Sequence, residues 1–156
     1  GGNAPVQQNN TPATPQQTST ILPSVADGIA HDYTVADEFI KPDYSKMPAV
    51  LFEKNTATIN ESSKAALKVL AQTLMKNPAM SVNLYAFASY DENNVREVSL
   101  QRSDAVLRYL LVNGAGIAQV KSFYNGGNGS RNGCDNANCP EGLLMQNRAV
   151  AYQLVQ

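Results

Sequence analysis

Tyr85–Leu111 reads YAFASYDENNVREVSLQRSDAVLRYLL, and its succession of strand, polar turn and helix decides the fold. Alternation of Val82, Leu84, Ala86 and Ala88 puts one set of side chains on one face of a strand running through MSVNLYAFA. The polar SYDENN breaks that alternation. A helical pattern then runs from about Asn94 to Asn113 and stops at Gly114, a residue suited to helix ends. Val98, Arg102, Ala105, Val106, Tyr109 and Leu110 fall on or beside one stripe of this helix. A charge on an apolar stripe requires an explanation, because a buried guanidinium without a partner costs several kcal/mol. Two answers are open: Arg102 clamps a ligand carboxylate, or it pairs internally with Asp91, Glu92, Glu97 or the C-terminal region.

Upstream, AVLFEKNTATI from Ala49 reads as a strand and turn, and Asn60 is placed to cap a helix running to about Asn77. Ala66, Leu67, Leu70 and Leu74 supply its buried stripe, and Asn77–Pro78 ends it. Downstream, QVKSFYN reads as a third strand, GGNGSRNGCDNANCPEG as a long glycine-rich loop, and RAVAYQLV as a final strand. The order β-α-β-α-β-β predicts an α+β fold, a two-layer α/β sandwich with helices on one face of a mixed sheet. Its β-α-β crossovers should be right-handed.

The domain is expected over 49–156. Residues 25–48 mix isolated apolar residues with Gly and Pro and read as an irregular extension. Residues 1–24, rich in Pro, Gln, Thr and Asn, read as a disordered tether, with Gly1-Gly2-Asn3 as an expression scar. About 22 flexible residues would reach on the order of 25 Å.

The totals exclude several functions. In 156 residues, 12 Lys and Arg face 13 Asp and Glu, a formal net charge of −1. That is not the basic footprint of a protein that grips nucleic acid. No apolar run approaches the roughly 20 residues of a membrane span, so any anchor is expected upstream. Cys134 and Cys139 are the two cysteines, and a C-x4-C pair with no nearby His cannot complete a tetrahedral zinc site. A short disulfide in an oxidising compartment is the expectation, with two free thiols as the alternative. His31 is the single histidine and lies in the extension, which argues against a catalytic or metal-binding arrangement. The glycine cluster lacks the G-K-[ST] ending of a phosphate loop. No enzyme, cofactor or metal is expected.

VSLQRSDAVLRYLLVNGAG, following a strand and a polar loop, resembles the L-S-x-x-R-A-x-x-V motif of OmpA-like domains. Val98 stands at the motif's Leu, Ser99 at its Ser, Arg102 at its Arg, Ser103 at its Ala and Val106 at its Val. Phe52 and NTATINESSKAAL before it, KSFYNGG after it and NRAV near the C-terminus keep the family's order over roughly Ala49 to Val155. The resemblance implies a periplasmic, outer-membrane-associated domain that binds peptidoglycan stem peptide without catalysis. In the family an Asp in G-H-T-D and the motif Arg hold the ligand's ammonium and carboxylates, and a guanidinium suits that task because it meets carboxylate as a fork.

This chain departs from the pattern at that point. Ala86-Phe87-Ala88-Ser89 stands where the family has G-H-T-D, so Ser89 takes the Asp position. The loop that follows is about two residues shorter, and Val95 falls where the family has Asn. Asn94 and Asp91 lie close enough to be considered as replacements. The residues expected at a retained ligand site are therefore Arg102, Ser89, Asp91, Asn94, Ser99 and Arg148. The lost Asp favours a structural component of an envelope assembly over a peptidoglycan-binding module. A Dot/Icm type IVB secretion lipoprotein is one such resemblance. The expected partners are envelope or secretion-complex proteins, an outer membrane reached through an upstream lipid anchor, and peptidoglycan weakly or conditionally.

Overall fold

The structure, a computed structural model, describes residues 20–23, 30–33, 42–123 and 130–156. Strands β1 (Thr20–Pro23) and β2 (Ala30–Tyr33) pair antiparallel, with Thr20 opposite Tyr33 and Pro23 opposite Ala30. Sequence reading placed β1 in the tether and β2 in the irregular extension, and both assignments are corrected here. Four-residue strands are too short to show a clear alternation in sequence, and pairing gives each its hydrogen bonds. The extension also contains a 3-10 turn at Tyr44–Lys46, whose first N–H groups are met by Asp43 through a bond from the Ser45 amide (3.1 Å). The rest of the proposed tether and extension, residues 1–19, 24–29 and 34–41, lies outside the described residues.

The domain proper runs β3 (Ala49–Leu51), α1 (Glu61–Lys76), β4 (Ser81–Ala86), α2 (Val95–Val112), β5 (Val120–Phe123), α3 (Glu141–Met145) and β6 (Ala149–Val155). Among the described residues its sheet has the order β3-β6-β4-β5. β6 runs antiparallel to both neighbours, with Val150 opposite Val50 on one side and Ala86 on the other, while β4 and β5 are parallel. This is the expected two-layer mixed-sheet fold. α3 is an addition, because the expected loop ends in a helix after Pro140. Five residues are too few to show helical periodicity in sequence.

Val82, Leu84 and Ala86 point toward Leu67, Leu70 and Leu74 of α1 and Val106, Leu107 and Leu110 of α2. Ala71, not Ala66, completes the inward stripe of α1; Ala66 is exposed. On the other face Tyr85 and Phe87 pack with Tyr44, Met47 and Phe123, so residues just before the domain cover part of that face. Tyr85 stacks on Phe123 with ring centroids 5.2 Å apart.

Gln119 fastens the end of α1. Its Nε2 donates toward the carbonyls of Leu74 (2.8 Å), Asn77 (3.1 Å) and Met80 (2.9 Å), and its Oε1 accepts from the Gly116 amide (2.9 Å). The carbonyl of Leu74 in the last turn of α1 and those of Asn77 and Met80 in the turn after it thus share a side-chain donor from just before β5. Gly114 has φ +116° after α2, and a Cβ there would lie 2.8 Å from the Met75 sulfur. The backbone angle requires glycine, and the exposed Met75 side chain lies over it.

The inward face of α2 is divided. Its last turns bury Val106, Leu107 and Leu110, whereas its first turns bury Ser99, Arg102, Ser103 and Asp104. A helix with a polar buried half must meet polar groups there. For Arg102 those groups come from the chain leaving the ends of the strands.

Candidate functional site at the strand ends

Three pieces of chain meet beside the first half of α2: residues 52–56 leaving β3, residues 87–92 leaving β4, and residues 147–148 entering β6. Main-chain bonds from Phe52 to the Arg148 carbonyl (2.7 Å) and from Phe87 to the Ala149 carbonyl (2.8 Å) hold them side by side. Arg102 reaches into this junction with no exposed surface. Its Nε donates to the Thr56 carbonyl (2.8 Å), Nη1 to the Phe87 carbonyl (3.2 Å) and Glu92 Oε1 (2.8 Å), and Nη2 to the Glu53 carbonyl (3.2 Å) and Glu92 Oε2. A guanidinium has five N–H donors. All five are met from within the chain, and the Phe52 ring lies against the guanidinium with its centroid 5.3 Å from the central carbon.

Glu92 is as well held as its partner. Besides the two-pronged pairing, Oε2 accepts from the Asn55 amide (2.7 Å) and Oε1 from the Ser89 amide (2.9 Å). Burial opposes the charged form of Glu92, but hydrogen bonds and charge from Arg102 and the amides of Asn55 and Ser89 outweigh it. The carboxyl is held below its usual range. Of the alternatives open in the sequence, internal pairing with Glu92 is the one the geometry displays.

Arg148 forms a second centre, joined to the first through Ser89. Its Nε donates to Ser89 Oγ (3.0 Å), Nη1 to Glu141 Oε2 (2.8 Å), and Nη2 faces Asp91 Oδ2 (3.4 Å). The Ser89 hydroxyl donates to Asp91 Oδ1 (2.6 Å), and Lys54 Nζ lies 3.0 Å from Asp91 Oδ2. Burial works against ionised Asp91, yet the Ser89 and Lys54 hydrogen bonds and the charges of Arg148 and Lys54 prevail, lowering its pKa to about 2. Burial also opposes the Arg148 charge; Glu141 and Asp91 overcome it and raise the arginine above its ordinary value.

Ser89, Asp91 and Arg148 are therefore brought together, with Lys54 and Glu141 added by the fold. Asn94 and Ser99 are not in this group. Asn94 caps α2, accepting from the Glu97 amide (3.2 Å), and buried Ser99 donates to the Arg96 carbonyl (2.9 Å). Both serve the helix locally. Cys134 and Cys139 form a disulfide. It lies in the loop leading to α3, just before Glu141, and buried Asn147 donates to the Cys134 carbonyl (2.7 Å). Arg131, which sequence reading passed over, ties this loop to the domain edge through the carbonyls of Tyr44 (3.2 Å) and Met47 (3.0 Å).

Residues 51–142, the stretch containing the arginine helix and the loops after β3 and β4, match the OmpA family. The chain belongs to the OmpA family. Solved structures agree in fold. The C-terminal domain of Helicobacter pylori MotB is 18% identical with a TM-score of 0.59, the match covering 70% of this chain and 85% of that one. The peptidoglycan-associated lipoprotein of Burkholderia pseudomallei is 23% identical with a TM-score of 0.57, over 71% and 93% of the two chains. A periplasmic domain of H. pylori MotB is 18% identical with a TM-score of 0.55, over 69% and 71%. At these identities the likeness establishes a common fold. No curated protein matches the sequence. Within the OmpA-like fold, this chain turns its motif arginine inward onto an acidic residue of its own loop.

Proposed function

We propose that the chain is a non-catalytic OmpA-like domain of the periplasm, a structural component of a cell-envelope assembly such as a secretion apparatus, carried on the outer membrane by a lipid anchor. One observation carries this reading: Arg102, at the position by which the family clamps its ligand, has no exposed surface and five internal acceptors. Ser89 in place of the family's Asp adds to it, because the anion that would meet an ammonium is gone. A domain that keeps the fold and withdraws the clamp has its outer surface left for protein contacts. The kinship to periplasmic and lipoprotein domains supports the compartment. Copurification from envelope extracts tests the role. Recovery with a defined set of envelope proteins is expected, and a domain that emerges alone at monomer size refutes it.

A second reading, non-covalent retention on peptidoglycan, is favoured by the Arg148 centre, whose partners Glu141 and Lys54 lie at the surface with side chains 62% and 46% exposed. Purified sacculi separate the two readings. The structural role predicts no retention at physiological salt, whereas retention abolished by Arg148→Ala would favour the second.

A further inference from the structure

The carboxylate of Glu92 sits in a receptor rather than a simple ion pair. Four N–H groups from three parts of the chain converge on it: Nη1 and Nη2 of Arg102 and the amides of Asn55 and Ser89. Two are charged and form a fork, and two are main-chain donors, a combination suited to any small carboxylate. Asn55 adopts φ +63° in presenting its amide, a left-handed conformation that asparagine tolerates better than most residues. The loop carrying Glu92 is latched in place. The Glu92 amide bonds to the Ser89 carbonyl (3.1 Å), and the Asn93 amide bonds to Asn55 Oδ1 (2.8 Å). Neither carboxylate nor guanidinium has exposed surface.

We infer that Glu92 is a built-in ligand: the chamber around Arg102 is a carboxylate-binding site that the chain fills from its own loop, and emptying it creates a site for a small external monocarboxylate. This deepens the functional reading above and rests on the withdrawal of Arg102 that supports it. The loop thereby decides specificity, since no external carboxylate can reach the fork while Glu92 occupies it. Truncation at Cβ removes a CH2–COO⁻ group, whose free counterpart is acetate. The chamber of Glu92→Ala should therefore accept acetate on the same four donors.

The test is chemical rescue. Glu92→Ala is expected to melt below wild type, and sodium acetate should raise its melting temperature along a saturating curve, as a ligand confined to the folded state does. Sodium chloride at matched ionic strength should not reproduce the rise, and wild type should gain little from either salt. In amide NMR spectra of the variant, the Asn55 and Ser89 signals should move with acetate. Equal effects of acetate and chloride, or equal gains in wild type and variant, overturn the inference. If the variant does not fold alone, its refolding yield in acetate against chloride is scored instead, and equal yields overturn it. Failed rescue leaves the envelope role standing on its own copurification test, whereas retention of wild type on sacculi would overturn that role without touching the rescue.

Discussion

Replacing Arg102 by alanine tests the central arrangement most directly. The substitution leaves the Glu92 carboxylate buried with two main-chain donors in place of four N–H partners, and strips the carbonyls of Glu53, Thr56 and Phe87 of their side-chain donor. Breaking one side of a buried pair costs about 3–5 kcal/mol, because the surviving charge keeps its desolvation penalty and loses its compensation. Removing both charges is a different perturbation, and Arg102→Met with Glu92→Leu should recover most of that loss. Urea unfolding followed by circular dichroism on wild type, Arg102→Met, Glu92→Leu and the Arg102→Met/Glu92→Leu double variant yields the coupling between the two residues, with Arg102→Ala measured alongside. We expect each single variant to be markedly less stable than the pair of changes together. A loss below about 1 kcal/mol for Arg102→Ala, or single losses that simply add, would refute the claim that this pair is the closed centre of the domain.

Three other outcomes follow from the same structure. The folded-state pKa of Asp91 is depressed from 3.8 to about 2, so the stability it contributes is present above its unfolded value and lost as pH falls through about 2. Acid titration of Asp91→Asn against wild type should remove a pH-dependent component on the order of 1 kcal/mol after solvent screening is allowed for. Gln119→Ala should cost about 1 kcal/mol in chemical denaturation, since the carbonyls of Leu74 and Met80 lose a partly buried donor, and an unchanged midpoint would remove Gln119 from that role. Reducing the Cys134–Cys139 bond, which closes a separation of 5 residues, should lower stability by about 2 kcal/mol on the loop-entropy argument, read as a shifted urea midpoint with and without reductant.

Much of the fold was legible because it rests on local patterns. Alternation along β4, the cap at Asn60, the Asn77–Pro78 stop and Gly114 are properties of short windows, and each marks an element near where it forms. β1, β2 and α3 were not legible. They are four or five residues long, and strand pairing or the loop before α3 secures each of them. In the site, sequence alone established that Arg102 lies on a buried stripe and needs a partner, because helical period and the cost of a buried charge suffice for that.

Which partner it takes was a tertiary decision. Asp91, Glu92 and Glu97 are equivalent by composition and close in the chain. The turn after β4 sends Glu92 inward to Arg102, leaves Asp91 beside Lys54 and Arg148, and places Glu97 in the first turn of α2. Lys54, Glu141 and Gln119 joined their networks across 37, 7 and 45 positions of sequence, from Asp91, Arg148 and Leu74 respectively. Periodicity reports which face of an element is buried. Only the packing of the layers determines what waits on the other side.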